Sequence, residues 1–135
     1  MPPKVLLIDD DDMIIRLYDR VLSNAGFIVD TARDGTIVAE TIKYNRPDII
    51  LMDVMMPNFN GLDTLKELKS KPLTSGLPIV MFSAYDDKSL IKKTMEYGAE
   101  MYLLKSENDP DEVVDILNKI LNKNKEENSS VIDTT

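Results

Sequence analysis

The residues best suited to chemistry in this sequence are polar side chains that follow short apolar runs. They are Asp9, Asp10, Asp53, Ser83 and Lys105. The clearest run covers residues 49–52, which are apolar without a break and lead directly into Asp53. A short continuous apolar run is typical of a strand that is buried on both faces of a parallel sheet. Because the carboxyl ends of such strands form the binding crevice of the sheet, we expect these side chains to lie together.

Carboxylates gathered at one edge of a sheet favour a metal site. Asp9, Asp10 and Asp53 would repel one another there, raising at least one pKa unless a cation joins them. Mg²⁺ prefers oxygen ligands of this kind. With the charge balanced, Asp53 could attack a phosphoryl donor and form an aspartyl phosphate. Lys105 would bring an ammonium to the transferred oxygens, and Ser83 would bring a hydroxyl group.

The composition excludes several other kinds of chemistry. The chain has no cysteine and no histidine, so it offers no disulfide, no thiol nucleophile and no imidazole. A net charge of −8 argues against a nucleic-acid surface, because phosphate binding needs clustered lysine and arginine. No apolar run is long enough to cross a membrane and no signal peptide is recognisable. We therefore expect a cytoplasmic protein that neither inserts into membranes nor binds nucleic acid.

Predicted strands and helices alternate along the chain. The strands are predicted at residues 5–8, 27–29, 49–53, 77–82 and 101–104. A stretch with helical periodicity follows each strand; Gly26 and Gly98 should end the first and fourth helices, and Asp109-Pro110 should begin the last. This alternation predicts an α/β fold with a doubly wound parallel sheet of five strands, covered by helices on both faces.

The length of 135 residues suits one domain, which we predict over residues 1–122. Residues 123–135 lose the helical period and are rich in asparagine, glutamate, serine and threonine. Such a segment buries little apolar surface, so we expect a disordered or frayed C-terminal tail.

The polar residues and their neighbours resemble the response-regulator receiver domain of two-component signalling, including its chemotaxis members. The matching motifs are Ile8-Asp9-Asp10, Leu51-Met52-Asp53, Met56-Pro57 with Gly61, Phe82-Ser83-Ala84, and Tyr102 with Lys105. The resemblance covers about residues 4–122. It implies a flavodoxin-like sheet with strand order 2-1-3-4-5 and five helices.

The resemblance also implies a role for each site residue. Asp53 would accept phosphate from a phosphohistidine on a sensor histidine kinase or a histidine phosphotransfer protein. Asp9, Asp10 and Asp53 would hold Mg²⁺, with the backbone carbonyl of Met55 as a further ligand. Lys105 would pair with the phosphoryl group. The chain would not be an enzyme in the usual sense, but a phosphoacceptor that takes part in its own phosphorylation and loses the phosphate slowly at most.

Ser83 and Tyr102 would form the switch of such a domain. The hydroxyl of Ser83 would move to the phosphate, and the ring of Tyr102 would turn inward behind it. A downstream effector protein would then read the changed surface. The chain would be a monomer or a weak phosphorylation-dependent dimer.

The sequence departs from the family pattern after Lys105, where Ser106 replaces the usual proline. We expect either a strained cis bond at this position or a trans bond with a shifted loop. Met55 and Tyr85 are bulky where a small polar group could steer water, which predicts slow dephosphorylation. Ile15 lies one position away from the predicted buried stripe of the first helix, at residues 14, 17, 18 and 21, so it could be an exposed docking contact for the phosphodonor.

Two alternatives remain open at this point. A phosphatase of the haloacid dehalogenase type also forms an aspartyl phosphate, but it needs a second aspartate two residues after the nucleophile, where Met55 stands. The other alternative is an interaction module that works without phosphorylation.

Overall fold

A computed structural model describes residues 2–56 and 59–133, with side chains described through residue 126. The main strands are β1 (Lys4–Ile8), β2 (Ile28–Ala32), β3 (Ile49–Asp53), β4 (Ile79–Ser83) and β5 (Met101–Leu104). The helices are α1 (Asp12–Asn24), α2 (Val38–Tyr44), α3 (Gly61–Ser70), α4 (Lys88–Glu96) and α5 (Pro110–Asp133). A 3₁₀ helix of one turn, Gly35–Ile37, precedes α2, and Met55–Met56 pairs antiparallel with Phe59–Asn60 between β3 and α3.

The five main strands form one parallel sheet in the order β2-β1-β3-β4-β5. The predicted fold class and strand order are therefore confirmed. Successive residues of a strand face opposite sides of the sheet, and both sides are covered here. Leu6 and Ile50 pack in a cluster with residues of α2 and α3, whereas Leu7 and Leu51 pack in a cluster with residues of α1 and α5. This two-sided burial is the reason why the strands read as unbroken apolar runs.

The buried face of α1 differs from the one predicted. Ile15 is 4% exposed and packs in the core with Tyr18 and Leu22, whereas Leu17 is 45% exposed. The buried residues follow the spacing i, i+3 and i+7, so the helix is rotated by one residue relative to the predicted stripe. The hypothesis that Ile15 is an exposed docking contact is therefore wrong, because its side chain is part of the hydrophobic core.

The start of α5 was predicted correctly, but its length was not. The Asp109 carboxylate accepts the Glu112 backbone N–H at 2.9 Å, and the Glu112 carboxylate accepts the Asp109 backbone N–H at 3.4 Å. This reciprocal capping fixes the first turn of the helix. The helix then continues to Asp133, so residues 123–133 of the predicted disordered or frayed tail are helical in this structure, and residues 134 and 135 lie outside the described residues. The predicted domain boundary after residue 122 is thus not a boundary of secondary structure. In the described part of the chain, no helix combines the length and the apolar character that crossing a membrane requires.

Candidate functional site

The predicted site residues lie at the carboxyl ends of four neighbouring strands. Asp9 and Asp10 follow β1, Asp53 is the last residue of β3, Ser83 is the last residue of β4, and Lys105 follows β5. Because these strands are parallel and adjacent, their ends meet at one edge of the sheet. Residues that are far apart in the sequence are brought together there.

Three of these residues form an acidic cluster. Asp9 and Asp53 are buried, with exposures of 1% and 6%, and Asp10 is exposed. One carboxylate oxygen from each lies within 4.8 Å of the others. The Asp9 carboxylate also accepts the backbone N–H of Asp11 at 2.9 Å, and the Asp53 carboxylate accepts the backbone N–H of Met55 at 3.3 Å. The loop after each strand therefore holds the carboxylate that precedes it.

Lys105 joins two members of this cluster. Its Nζ atom lies 2.8 Å from Asp9 Oδ2 and 3.3 Å from Asp53 Oδ2. Its backbone N–H donates to the carbonyl of Ser83 at 2.8 Å, which fixes the chain beyond β5 beside the end of β4. No cis peptide bond occurs in the described part of the chain, so the Lys105–Ser106 bond is trans. Lys105 reaches the carboxylates with this trans bond.

Burial and neighbouring charges set the ionisation of the cluster. Burial raises the pKa of Asp53 from 3.8 to about 6; the Asp9 carboxylate also raises it, while the Lys105 ammonium and the Met55 N–H lower it. Burial lowers the pKa of Lys105, but the carboxylates of Asp9 and Asp53 outweigh burial and raise it overall. At neutral pH, Asp53 is therefore mostly ionised and Lys105 is protonated. Both groups carry the charges that phosphoryl transfer to a carboxylate requires.

The acidic cluster fits a divalent cation. Asp9 Oδ2 is buried, and no hydrogen bond of ordinary geometry reaches it from the residues that the structure describes, although the Lys105 ammonium lies close by. The ion pair compensates the charge of this oxygen but leaves a lone pair without a directed donor. Carboxylate oxygens are the ligands that Mg²⁺ prefers. The three carboxylates together therefore have the chemistry of a magnesium site.

Ser83 and Tyr102 are linked through the backbone of Tyr85. The hydroxyl of Ser83 accepts the backbone N–H of Tyr85 at 2.9 Å, and the hydroxyl of Tyr102 donates to the carbonyl of Tyr85 at 2.7 Å. Burial raises the pKa of Tyr102. The two side chains therefore hold the same short loop, which begins immediately after β4.

Gly61 lets the first turn of α3 approach the end of β3. A Cβ atom on this residue would lie 2.3 Å from the carbonyl oxygen of Asp53, closer than any side chain permits. The backbone N–H of Gly61 donates to the carbonyl of Val54 at 2.8 Å. This close approach accounts for the glycine in the family motif.

Sequence reasoning named Phe82 only as part of a motif and Tyr18 only as part of a buried stripe, and it missed their place beside Lys105. Lys105 Nζ lies over the ring of Phe82, 5.6 Å from its centroid. The rings of Tyr18 and Phe82 meet edge to face, with centroids 5.2 Å apart. Phe82 immediately precedes Ser83, and this position at the end of a site-bearing strand was the signal that could have identified it.

Comparisons with known proteins agree with this geometry. The profile of a family described as the response regulator receiver domain matches residues 5–122. Response regulator MprA from Mycobacterium sp. strain KMS is 37% identical over 105 residues, which cover 78% of this chain and 45% of that protein. DNA-binding response regulator MtrA from Mycolicibacterium paratuberculosis is 34% identical over the same shares of the two chains. The chain thus spans less than half the length of these two relatives.

Solved structures give the same result. The chemotaxis response regulator CheY4 of Vibrio cholerae superposes with a TM-score of 0.81 at 27% identity, covering 89% of this chain and 99% of that one. The DNA-binding name of MtrA leaves the expectation of no nucleic-acid partner without support. From the family match over residues 5–122 and the identity to MprA, we conclude that this chain belongs to the response regulator receiver domain family of two-component signalling.

Proposed function

We propose that Asp53 accepts a phosphoryl group from a phosphohistidine of a partner protein, and that the phosphorylated domain then binds a downstream effector. The partner would be a sensor histidine kinase or a histidine phosphotransfer protein. The observation that carries this proposal is the single ammonium of Lys105, which lies within 3.3 Å of a carboxylate oxygen of both Asp9 and Asp53. That arrangement leaves Asp53 ionised and puts a positive charge where a transferred phosphoryl group would arrive.

In the transfer, an oxygen of Asp53 forms a bond to phosphorus while the phosphorus–nitrogen bond to the donor histidine breaks. The electron pair stays on the ring nitrogen, and the imidazole leaves as the neutral ring because its other nitrogen carries a proton. Lys105 remains beside the transferred oxygens and balances their charge. Mg²⁺, when bound by Asp9, Asp10, Asp53 and the carbonyl of Met55, would add further charge neutralisation.

The signal would leave the site through the loop after β4. In the proposed switch, the Ser83 hydroxyl gives up its hydrogen bond with the Tyr85 N–H and donates one to a phosphoryl oxygen. The loop then moves, and the Tyr102 hydroxyl loses its hydrogen bond to the Tyr85 carbonyl. Tyr85 in the loop after β4, Met95 in α4 and Met101 in β5 are exposed, and they offer apolar area for an effector protein or a weak dimer.

The phosphodonor would approach the other side of the pocket. Met13 and Leu17 on α1, the helix that follows Asp9 and Asp10, and Met55, two residues after Asp53, are exposed apolar side chains. They replace Ile15 as the candidate docking contacts, because Ile15 is buried. A histidine-bearing partner could cover these side chains while presenting its phosphate to Asp53.

The test is intact-mass spectrometry after incubation with acetyl phosphate and Mg²⁺. We expect a single phosphoryl group on the wild type, and none on Asp53→Asn or on the wild type without a divalent cation. The control is Asp12→Asn, since Asp12 is an exposed aspartate whose partner is Arg33 rather than the cluster. Label that persists in Asp53→Asn would contradict the proposal, and so would catalytic turnover of a generic phosphate ester, which would favour a phosphatase.

A further inference from the structure

Phe82 lies directly beneath the ammonium group that the proposed reaction needs. The Nζ atom of Lys105 is 5.6 Å from the centroid of the Phe82 ring. The ring belongs to the fully buried core on the α1 and α5 side of the sheet. An aromatic face attracts a cation at distances up to about 6 Å, because the ring quadrupole is negative above the face.

The orientation of this ring is fixed by a second aromatic residue. Tyr18 of α1 meets Phe82 at an interplanar angle of 73°, which is the favoured edge-to-face arrangement. Both side chains are buried, so neither ring is free to turn away. The face that Lys105 meets is therefore held in place by α1, an element that contributes no ligand to the acidic cluster.

The aromatic contact restricts the conformation of the Lys105 side chain, which the two carboxylates alone do not fix. A lysine side chain has four rotatable bonds, and an ion pair sets the distance of its ammonium but leaves many conformations available. A wall of apolar carbon beside the ammonium excludes water on that side and strengthens its attraction to Asp9 and Asp53. The side chain of Lys105 is only 19% exposed, which agrees with such confinement.

We propose that Phe82 is a positioning residue for phosphoryl transfer: its ring, braced by Tyr18, holds the Lys105 ammonium beside Asp9 and Asp53. This inference rests on the proposed function, because positioning matters only if Asp53 is phosphorylated. Phe82 touches no reacting atom and acts through Lys105 alone.

The experiment replaces Phe82 with phenylalanine carrying an increasing number of fluorine atoms. Fluorination nearly preserves the shape of the ring but removes negative charge from its face, so a merely structural role would not be affected. We expect the rate of phosphorylation by acetyl phosphate to fall stepwise, by about fivefold for the trifluorinated ring. The matched control is the same replacement at Phe27, which is buried in the same cluster but precedes β2 at the opposite edge of the sheet. Equal rates for all the Phe82 variants would overturn the proposal.

A second measurement does not depend on phosphorylation. In NMR spectra of the wild type, the ring current of Phe82 should shift the protons next to Lys105 Nζ upfield, and Phe82→Leu should abolish this shift. A normal Lys105 shift in the wild type would overturn the proposal. If the wild type shows the shift but acetyl phosphate does not label Asp53, the proposed function fails while the contact between ring and ammonium is supported.

Discussion

At the scale of single residues, the site was largely predictable because each chemical group stands at the end of an apolar run. Asp9, Asp53, Ser83 and Lys105 are all found where the pattern put them. The position of the Lys105 ammonium relative to Asp9 and Asp53 was not predictable, since it depends on the path of the backbone after β5. The contact of Phe82 with Lys105 was missed because an aromatic residue in a strand is most simply explained by packing.

Removal of the Lys105 ammonium should destabilise the protein when no metal is present. In Lys105→Met, the buried carboxylates of Asp9 and Asp53 lose their counter-charge, so we expect the free energy of unfolding to fall by roughly 1–3 kcal/mol. Mg²⁺ should restore part of this loss. Urea unfolding with and without Mg²⁺ measures both effects. In the control, Lys71→Met removes an exposed pair with Glu67 and should cost less than about 0.5 kcal/mol.

The raised pKa of Asp53 predicts how stability depends on pH in metal-free buffer. The folded protein holds this proton up to a pKa of about 6, whereas the usual aspartate value is 3.8. Folding therefore favours the protonated form of Asp53, which stabilises the folded protein at low pH. This stabilisation is complete below pH 3.8 and is lost as the pH rises through about 6. When the pH is lowered from 7 to 4, the free energy of unfolding of the wild type should rise by on the order of 2 kcal/mol relative to that of Asp53→Asn. Parallel pH profiles for the two proteins would contradict this assignment.

The side chains of Met55 and Tyr85 should slow the loss of phosphate. Both are exposed, and both are bulky and largely apolar where a small polar group could hold a water for attack on the phosphoryl group. We expect Met55→Asn combined with Tyr85→Glu to shorten the lifetime of the phosphorylated protein by about tenfold, because these groups can orient water. The decay of the label after removal of acetyl phosphate gives the lifetime. Loss of label within seconds from the wild type, unchanged by the substitutions, would refute this prediction.

At the scale of helices and strands, the sequence predicted the type and order of the elements better than the rotation of α1 about its axis. The glycines expected to end α1 and α4 do so, and both have positive φ values, 98° at Gly26 and 103° at Gly98. The rotation of α1 was wrong because residues 13–15 and 17–18 are all apolar or aromatic. With so many apolar residues in its first two turns, the periodicity alone does not choose between two adjacent faces.

The observed rotation of α1 can be tested with two alanine substitutions in the same helix. Ile15→Ala removes a fully packed side chain and should lower the free energy of unfolding by roughly 2–4 kcal/mol. Leu17→Ala trims a partly exposed side chain of the same size and should cost less than about 1 kcal/mol. Chemical denaturation of both variants compares the two faces directly. Equal losses, or a larger loss for Leu17→Ala, would mean that the helix is rotated as the sequence first indicated.

At the scale of the whole molecule, the alternation of strands and helices was enough to predict one doubly wound domain. The length of α5 was not predictable by the same argument. A helix can extend beyond the core with little apolar surface, since lysine, glutamate and asparagine tolerate the helical backbone when they face water. The apolar residues that α5 packs into the core end at Leu121.

Because the core residues of α5 end at Leu121, we predict that the end of the chain is dispensable for folding. A protein ending after residue 122 keeps every described core contact of α5, so its free energy of unfolding should match that of the full chain within about 0.5 kcal/mol. Phosphorylation by acetyl phosphate should be unchanged as well. Thermal and urea unfolding of the two lengths test the domain boundary. A loss of more than about 1 kcal/mol would show that the extension of α5 supports the domain.

One consequence of the acidic cluster concerns the valence of the ion that it can bind. Three carboxylates and one ammonium carry a formal surplus of two negative charges. A divalent ion cancels this surplus, whereas sodium or potassium would leave half of it. If the cluster binds a metal, we expect the charge of Lys105 to favour doubly charged ions over singly charged ones. A chain carrying methionine at that position should tolerate more highly charged lanthanides, which bind the same oxygens.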